Sequence, residues 1–142
     1  MDNELIIVEA RKLAKQYKLQ GYHCSESIIR SVNDVLDLKM NDDVLRCACG
    51  FRGGGGGYRD RCGIIEAGIM IISYIHGRDN ADEDIEKYSN LVFKLHEDFN
   101  KRFNTIYCRD IYYDQKKKQV ENTCLEIIED GVEIILRILL FS

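Results

Sequence analysis

Apolar residues recur along most of the chain at three- and four-residue steps, the spacing of helices with one buried face. Leu5, Ile6, Ala10, Leu13, Ala14 and Tyr17 predict a first helix over about residues 4–19, with Gly21 suited to a stop. Ile28, Ile29, Val32, Val35 and Leu36 predict a second, from Cys24 or Ser25 to about Leu38. Asn41, Asp42 and Asp43 supply a polar start for a short third helix over about residues 44–49. Residues 62–75 are nearly all apolar and predict a helix buried on most sides, central to a bundle. Ile85, Tyr88, Leu91, Val92, Leu95 and Phe99 mark a fifth helix over about residues 81–103. A short segment around residues 108–112 follows, then the solvated run Lys116-Lys117-Lys118. The last helix is expected over about residues 119–140, with Gly131 as its weak point. No alternating pattern lasts long enough to force a sheet. The reading is all-α: one domain over residues 1–142, a bundle of about five or six helices.

Composition sharpens this picture in three places. The chain of 142 residues has no proline, which suits long helices joined by short turns. Lys and Arg number 20 against 24 Asp and Glu, and a net charge of −4 argues against a nucleic-acid binder. Acidic residues interrupt the N-terminal apolar run, so no signal peptide is expected. The apolar run Ile134 to Phe141 is broken by Arg137 and falls far short of the ~20 residues that span a bilayer. A cytoplasmic protein that avoids membranes is the expectation, with a homodimer compatible with it.

Cysteines stand at 24, 47, 49, 62, 108 and 124. In a reducing compartment, six thiols point to metal binding or redox work and away from structural disulfides. No CxxC occurs, so neither a thioredoxin-type dithiol nor a zinc ribbon can be read from local spacing. Any four-thiol site must assemble from different helices. Taken singly, a cysteine is most often a small buried hydrophobe. Cys62 stands out because it opens a helix beside Arg59 and Arg61, where unpaired amides and positive charge favour a thiolate. It is expected to be the most thiolate-like of the six. Glu66 lies one turn on and shares its face. His23 adjoins Cys24, where a surface or capping role outweighs ligation.

One composition break interrupts the helices, the stretch GFRGGGGGYRDRCG. Glycines 53 to 57 cannot be helix interior at about 1 kcal/mol each against alanine. No Lys-Ser or Lys-Thr pair follows the run, so it is not a P-loop, and no βαβ unit surrounds it. The favoured reading is a backbone that must pass close to something bulky, a cofactor or another helix. An anion-binding nest comes second.

Together these blocks resemble the redox-active family named for its C_GCAxxG_C_C cysteine pattern. The first block is Gly21-Tyr22-His23-Cys24-Ser25-Glu26-Ser27-Ile28. The second is FRGGGGGYRDRCGIIEAGIM, which places Phe51, Gly53, Gly54, Gly56, Cys62, Gly63 and Met70. The third is FNKRFNTIYCRDIYY, with Cys108 and Arg109, and the last cysteine is Cys124. The likeness covers about residues 10 to 138. Ile64 stands where the family has alanine, Ala67 where it has glycine, and Arg52 replaces a loop glycine. Cys47 and Cys49 are additional to the pattern.

The resemblance implies a shared site of Cys24, Cys62, Cys108 and Cys124, with Gly53, Gly54, Gly56 and Gly63 as its cofactor-binding backbone. Such a site could hold an iron–sulfur cluster or zinc, or could work with no cofactor as redox-switching cysteine pairs. Electron transfer or redox sensing with a redox protein partner leads these readings. A zinc-stabilised or metal-free interaction module is the alternative.

Overall fold

The computed structural model describes residues 2–142 and is all-helical, with seven α-helices and no strand among those residues. They are α1 (Asn3–Leu19), α2 (Cys24–Leu36), α3 (Asp42–Arg46), α4 (Gly63–His76), α5 (Glu86–Phe103), α6 (Cys108–Lys117) and α7 (Leu125–Phe141). A 3₁₀ turn, Cys49–Gly54, carries the first of the clustered glycines. No helix described is long and apolar enough to cross a membrane.

The count exceeds the expected five or six because α6 is a ten-residue helix where only a short segment was legible. Its buried positions are Cys108, Ile111 and Gln115, a helical spacing written with a thiol and an amide in two of three places. The lysine run is the end of this helix, where cations complement the carbonyl pole. Two other ends shift for local reasons. Helix α5 starts at Glu86, because Asn80 and Glu83 bond each other and Asp84 accepts the Glu86 amide at 3.0 Å. Helix α7 starts at Leu125, after Gln119 and Cys124 take left-handed conformations with φ of 56° and 70°.

Helix α4 lies at the centre, packed against α2, α5 and α7, while α1 covers α2 and α7. Ile64, Ile65, Ile71 and Ile72 of α4 are fully buried, against Ile28 and Ile29 of α2, Leu95 and Phe99 of α5, and Ile128, Ile135 and Leu136 of α7. Each such side chain contributes about 1.5–3 kcal/mol by leaving water. Ile64 fits because of Gly131: a Cβ at Gly131 would stand 2.6 Å from Ile64 Cγ2. The glycine expected to weaken α7 is therefore the notch that admits the bulkier residue at position 64. Gly68 is a second notch, with Leu95 Cδ2 2.6 Å from where its Cβ would be.

Candidate functional site

Four helices begin at one place. Cys24 is the first residue of α2 and Cys108 the first of α6, while Cys62 and Cys124 are the N-caps of α4 and α7. All four thiols line a single cavity of about 160 Å³. For scale, a cavity of about 150 Å³ admits a benzene-sized molecule. The positive poles of four helices meet there.

The turn and the following loop hold this convergence together. Asp60 and Cys62 pair with the segment before α6, antiparallel: the Cys62 amide donates to Ile106 O at 2.8 Å, and the Cys108 amide to Asp60 O at 2.6 Å. The two cysteines are thus fixed beside each other by backbone alone. Arg59 takes a left-handed conformation, φ 67°, with its amide donating to Gly53 O at 2.9 Å. Its guanidinium then lies 3.6 Å from the centre of the Tyr112 ring and donates to Cys108 Sγ at 3.5 Å. Cys124 is tethered by its amide, which donates to the side-chain oxygen of buried Gln115 at 3.1 Å.

The glycines divide. Gly53 lines the cavity and its amide bonds the Cys24 thiol. Gly54 is buried with φ 72°, and a Cβ on it would stand 2.5 Å from the Asp60 nitrogen and 2.7 Å from Cys108 Cβ. Gly63 packs on Cys24 Sγ, 3.0 Å from its own missing Cβ, and on the Phe51 carbonyl. Gly56 was expected with them, yet nothing lies within 4 Å of where its Cβ would be and it does not line the cavity. Its positive φ serves the turn, bonded through its amide to Gly50 O.

Burial decides the thiol chemistry. It pushes Cys62 well above an ordinary thiol, and the neighbouring Cys24 adds to the rise. Cys24 is raised by burial, partly offset by the Gly53 amide, and Cys124 is pushed up to about 12 by burial and then by Cys24 and Cys108. The expectation of a thiolate at Cys62 is overturned. The Ile64 amide does bond it, but desolvation outweighs that bond. Nor do the arginines serve it: Arg59 turns to Cys108, and Arg61 pairs with Glu66 and reaches His96 Nε2 at 2.7 Å. Cys47 and Cys49 stand outside the cavity, exposed, with Cys49 Sγ 3.4 Å from a Glu26 carboxylate oxygen. His23 lines the rim as the N-cap of α2.

These shifts make the metal-free, reduced protein alkali-sensitive. A thiol raised in the folded state favours folding below its unfolded value, about 8.5, and loses that contribution as pH climbs through the folded value. Stability is therefore expected to fall from about pH 9 upward, the Cys124 share fading toward its value of about 12. Urea midpoints measured at pH 7, 9 and 10 should decline in that order. A flat profile would contradict the burial of the thiols.

Sequence reasoning missed Arg59 as the partner of Cys108, Gln115 as the tether of Cys124, and Tyr112 and Lys18 at the cavity. Only Arg59 carried a signal, a cation within the glycine segment. All six cysteines are free thiols. Among the described residues no three His, Cys, Asp or Glu side chains stand close enough together to hold a single metal ion.

No curated protein and no solved structure matches this chain. Residues 22–138 match the family model described as "Putative redox-active protein (C_GCAxxG_C_C)", and the chain belongs to that family.

Proposed function

We propose that Cys24, Cys62, Cys108 and Cys124 hold an iron–sulfur cluster, and that the protein transfers or senses electrons through it. The observation that carries this reading is one thiol on each of four helix N-termini around one small cavity, no thiol bonded to another. When bound, the cluster supplies a reversible one-electron centre in exchange for four thiolates. In a 4Fe–4S cluster each iron would take its own thiolate, so the four ligands would stand further apart than around one ion. Among the described residues the four thiols do not close on a single-ion point. A single zinc ion would need the side chains drawn inward.

The chain's own groups support the charge that four thiolates bring. Four helix poles face them. The amides of Gly53 and Ile64 donate to Cys24 and Cys62, and Arg59 donates to Cys108. Hydrogen bonds to sulfur are one of the levers that set cluster potential. The buried walls formed by Ile64 and Ile111 keep water from the sulfurs. Six reduced thiols fit a reducing compartment such as the cytoplasm.

Anaerobic reconstitution with ferrous iron and sulfide tests this. One cluster per chain is expected, seen as broad visible absorption with matching iron and sulfide content. Serine at 24, 62, 108 or 124 should abolish or destabilise it, while serine at 47 and 49 should leave it. A colourless protein that loses two hydrogens per oxidised pair instead would overturn the cluster and favour disulfide exchange.

A further inference from the structure

Arg52 stands at the kink of the 3₁₀ turn, with φ −54° and ψ 144°. The turn grips it at both ends. Its carbonyl accepts the Gly55 and Gly57 amides, each at 3.1 Å, and its Nη1 lies 3.3 Å from where a Cβ on Gly57 would stand. The residue lines the four-thiol cavity, and its Nε is buried with no hydrogen-bond partner. Leaving a buried donor unpaired costs about 1–3 kcal/mol, more where the group is charged. No carboxylate lines this cavity. The acceptors that do line it are the sulfurs, Tyr112, Thr123 and His23, and none of them bonds Nε.

Its neighbours in the same loop are placed otherwise. The Gly53 amide bonds the Cys24 thiol, and the Arg59 guanidinium donates to Cys108 Sγ at 3.5 Å. Two donors of one loop thus serve sulfur, and the third, Arg52 Nε, meets no acceptor that the chain supplies. Arg30 Nε is also buried and unpaired, so an orphaned guanidinium nitrogen does not by itself mark a site. Arg30, however, rests on the Tyr22 ring, 4.6 Å from its centre, and does not line the cavity. Arg52 combines an orphaned donor with a place in the wall of the four-thiol cavity.

We infer that Arg52 donates its Nε–H to an inorganic sulfide of a cluster held by the four cysteines, and so raises the reduction potential of that cluster. The inference rests on the cluster reading above and deepens it. The acceptor has to arrive with the occupant. A single zinc ion carries no acceptor of its own, whereas a cluster sulfide carries lone pairs and a share of the negative charge. Reduction adds one electron to the centre and breaks no bond. The more negative reduced form therefore gains most from the donor and its positive charge. Where the family pattern has glycine, this chain carries a residue that tunes its own centre.

Redox titration of the anaerobically reconstituted full chain, followed by the paramagnetic signal of the reduced centre, tests this. Arg52→Gly leaves the four cysteines untouched, and glycine takes φ −54° and ψ 144° without strain. The variant should take up the cluster and shift its reduction equilibrium about tenfold toward the oxidised form, about 59 mV for one electron. Arg30→Gln should leave the equilibrium where it is. In heavy water, pulsed magnetic resonance of the reduced parent should show a coupled exchangeable deuteron that Arg52→Gly lacks. An unchanged potential overturns the inference and leaves the cluster standing. A potential that moves while the deuteron coupling stays assigns the effect to distant charge and overturns the bond. An equal shift in Arg30→Gln does the same. If Arg52→Gly fails to assemble, Arg52→Met, of similar length and without a donor, is read by the same coupling. A parent that assembles no cluster overturns both the inference and the redox reading.

Discussion

Gly54→Ala is expected to cost the protein a large share of its stability and to dislodge Cys108. An L-residue in a left-handed conformation costs roughly 1–2 kcal/mol. Overpacking costs typically about 1–3 kcal/mol more, and here the obstacles are largely backbone: the Asp60 nitrogen at 2.5 Å and the Arg59 carbonyl carbon at 2.8 Å. Against a total stability of about 5–15 kcal/mol this is a large share. Gly56→Ala pays only the conformational penalty, since its surroundings are open. Thermal melts of the two variants should separate by roughly 5–10 °C, with Gly54→Ala the lower. The two pentaglycine positions would have to melt alike for the close approach at Gly54 to be dismissed. If Gly54→Ala fails to fold while Gly56→Ala folds, the order is the same and the claim stands.

Timed alkylation of the reduced, metal-free protein near pH 8 should label Cys47 and Cys49 first and the four cavity thiols last. At that pH a thiol of pKa about 12 is ionised roughly a thousandfold less than an ordinary exposed one. The higher intrinsic nucleophilicity of a more basic thiolate recovers part of this, leaving Cys124 slower by about two orders of magnitude. Cys62, raised by burial and only 6% exposed, should be slower still by lack of access. Peptide mass read over time gives the order. Cys62 or Cys124 labelled as fast as Cys47 would show that the cavity opens widely in solution. The rate at Cys124 should also climb with pH past the point where exposed thiols level off.

Much of this architecture was legible because it is written in helical periodicity. The stripes of α1, α2, α4 and α5 are apolar at the right steps, so their existence could be read from residues such as Ile28, Ile65 and Leu95. Helix α6 was harder, since a thiol and a glutamine occupy its inward face. The cysteine blocks named the four thiols but not their environment. Whether Cys62 is ionised depends on burial and on where Arg59 and Arg61 turn. Those directions follow from the pairing of residues 60–62 with residues 106–108, a contact between segments far apart in sequence that no local pattern announces. For the same reason Gly53, Gly54 and Gly56 look alike in the chain and differ in space.

The convergence of four helix starts has a thermodynamic consequence. Like poles are gathered at one point, and with nothing anionic between them they oppose the packing that the apolar core demands. Any occupant that binds all four cysteines relieves that opposition and also ties together chain segments widely separated in sequence, restricting the unfolded ensemble as a cross-link would. Occupancy and folding are then a single linked equilibrium. The core sets a floor of stability, and the working stability of the protein is a function of how much occupant is present.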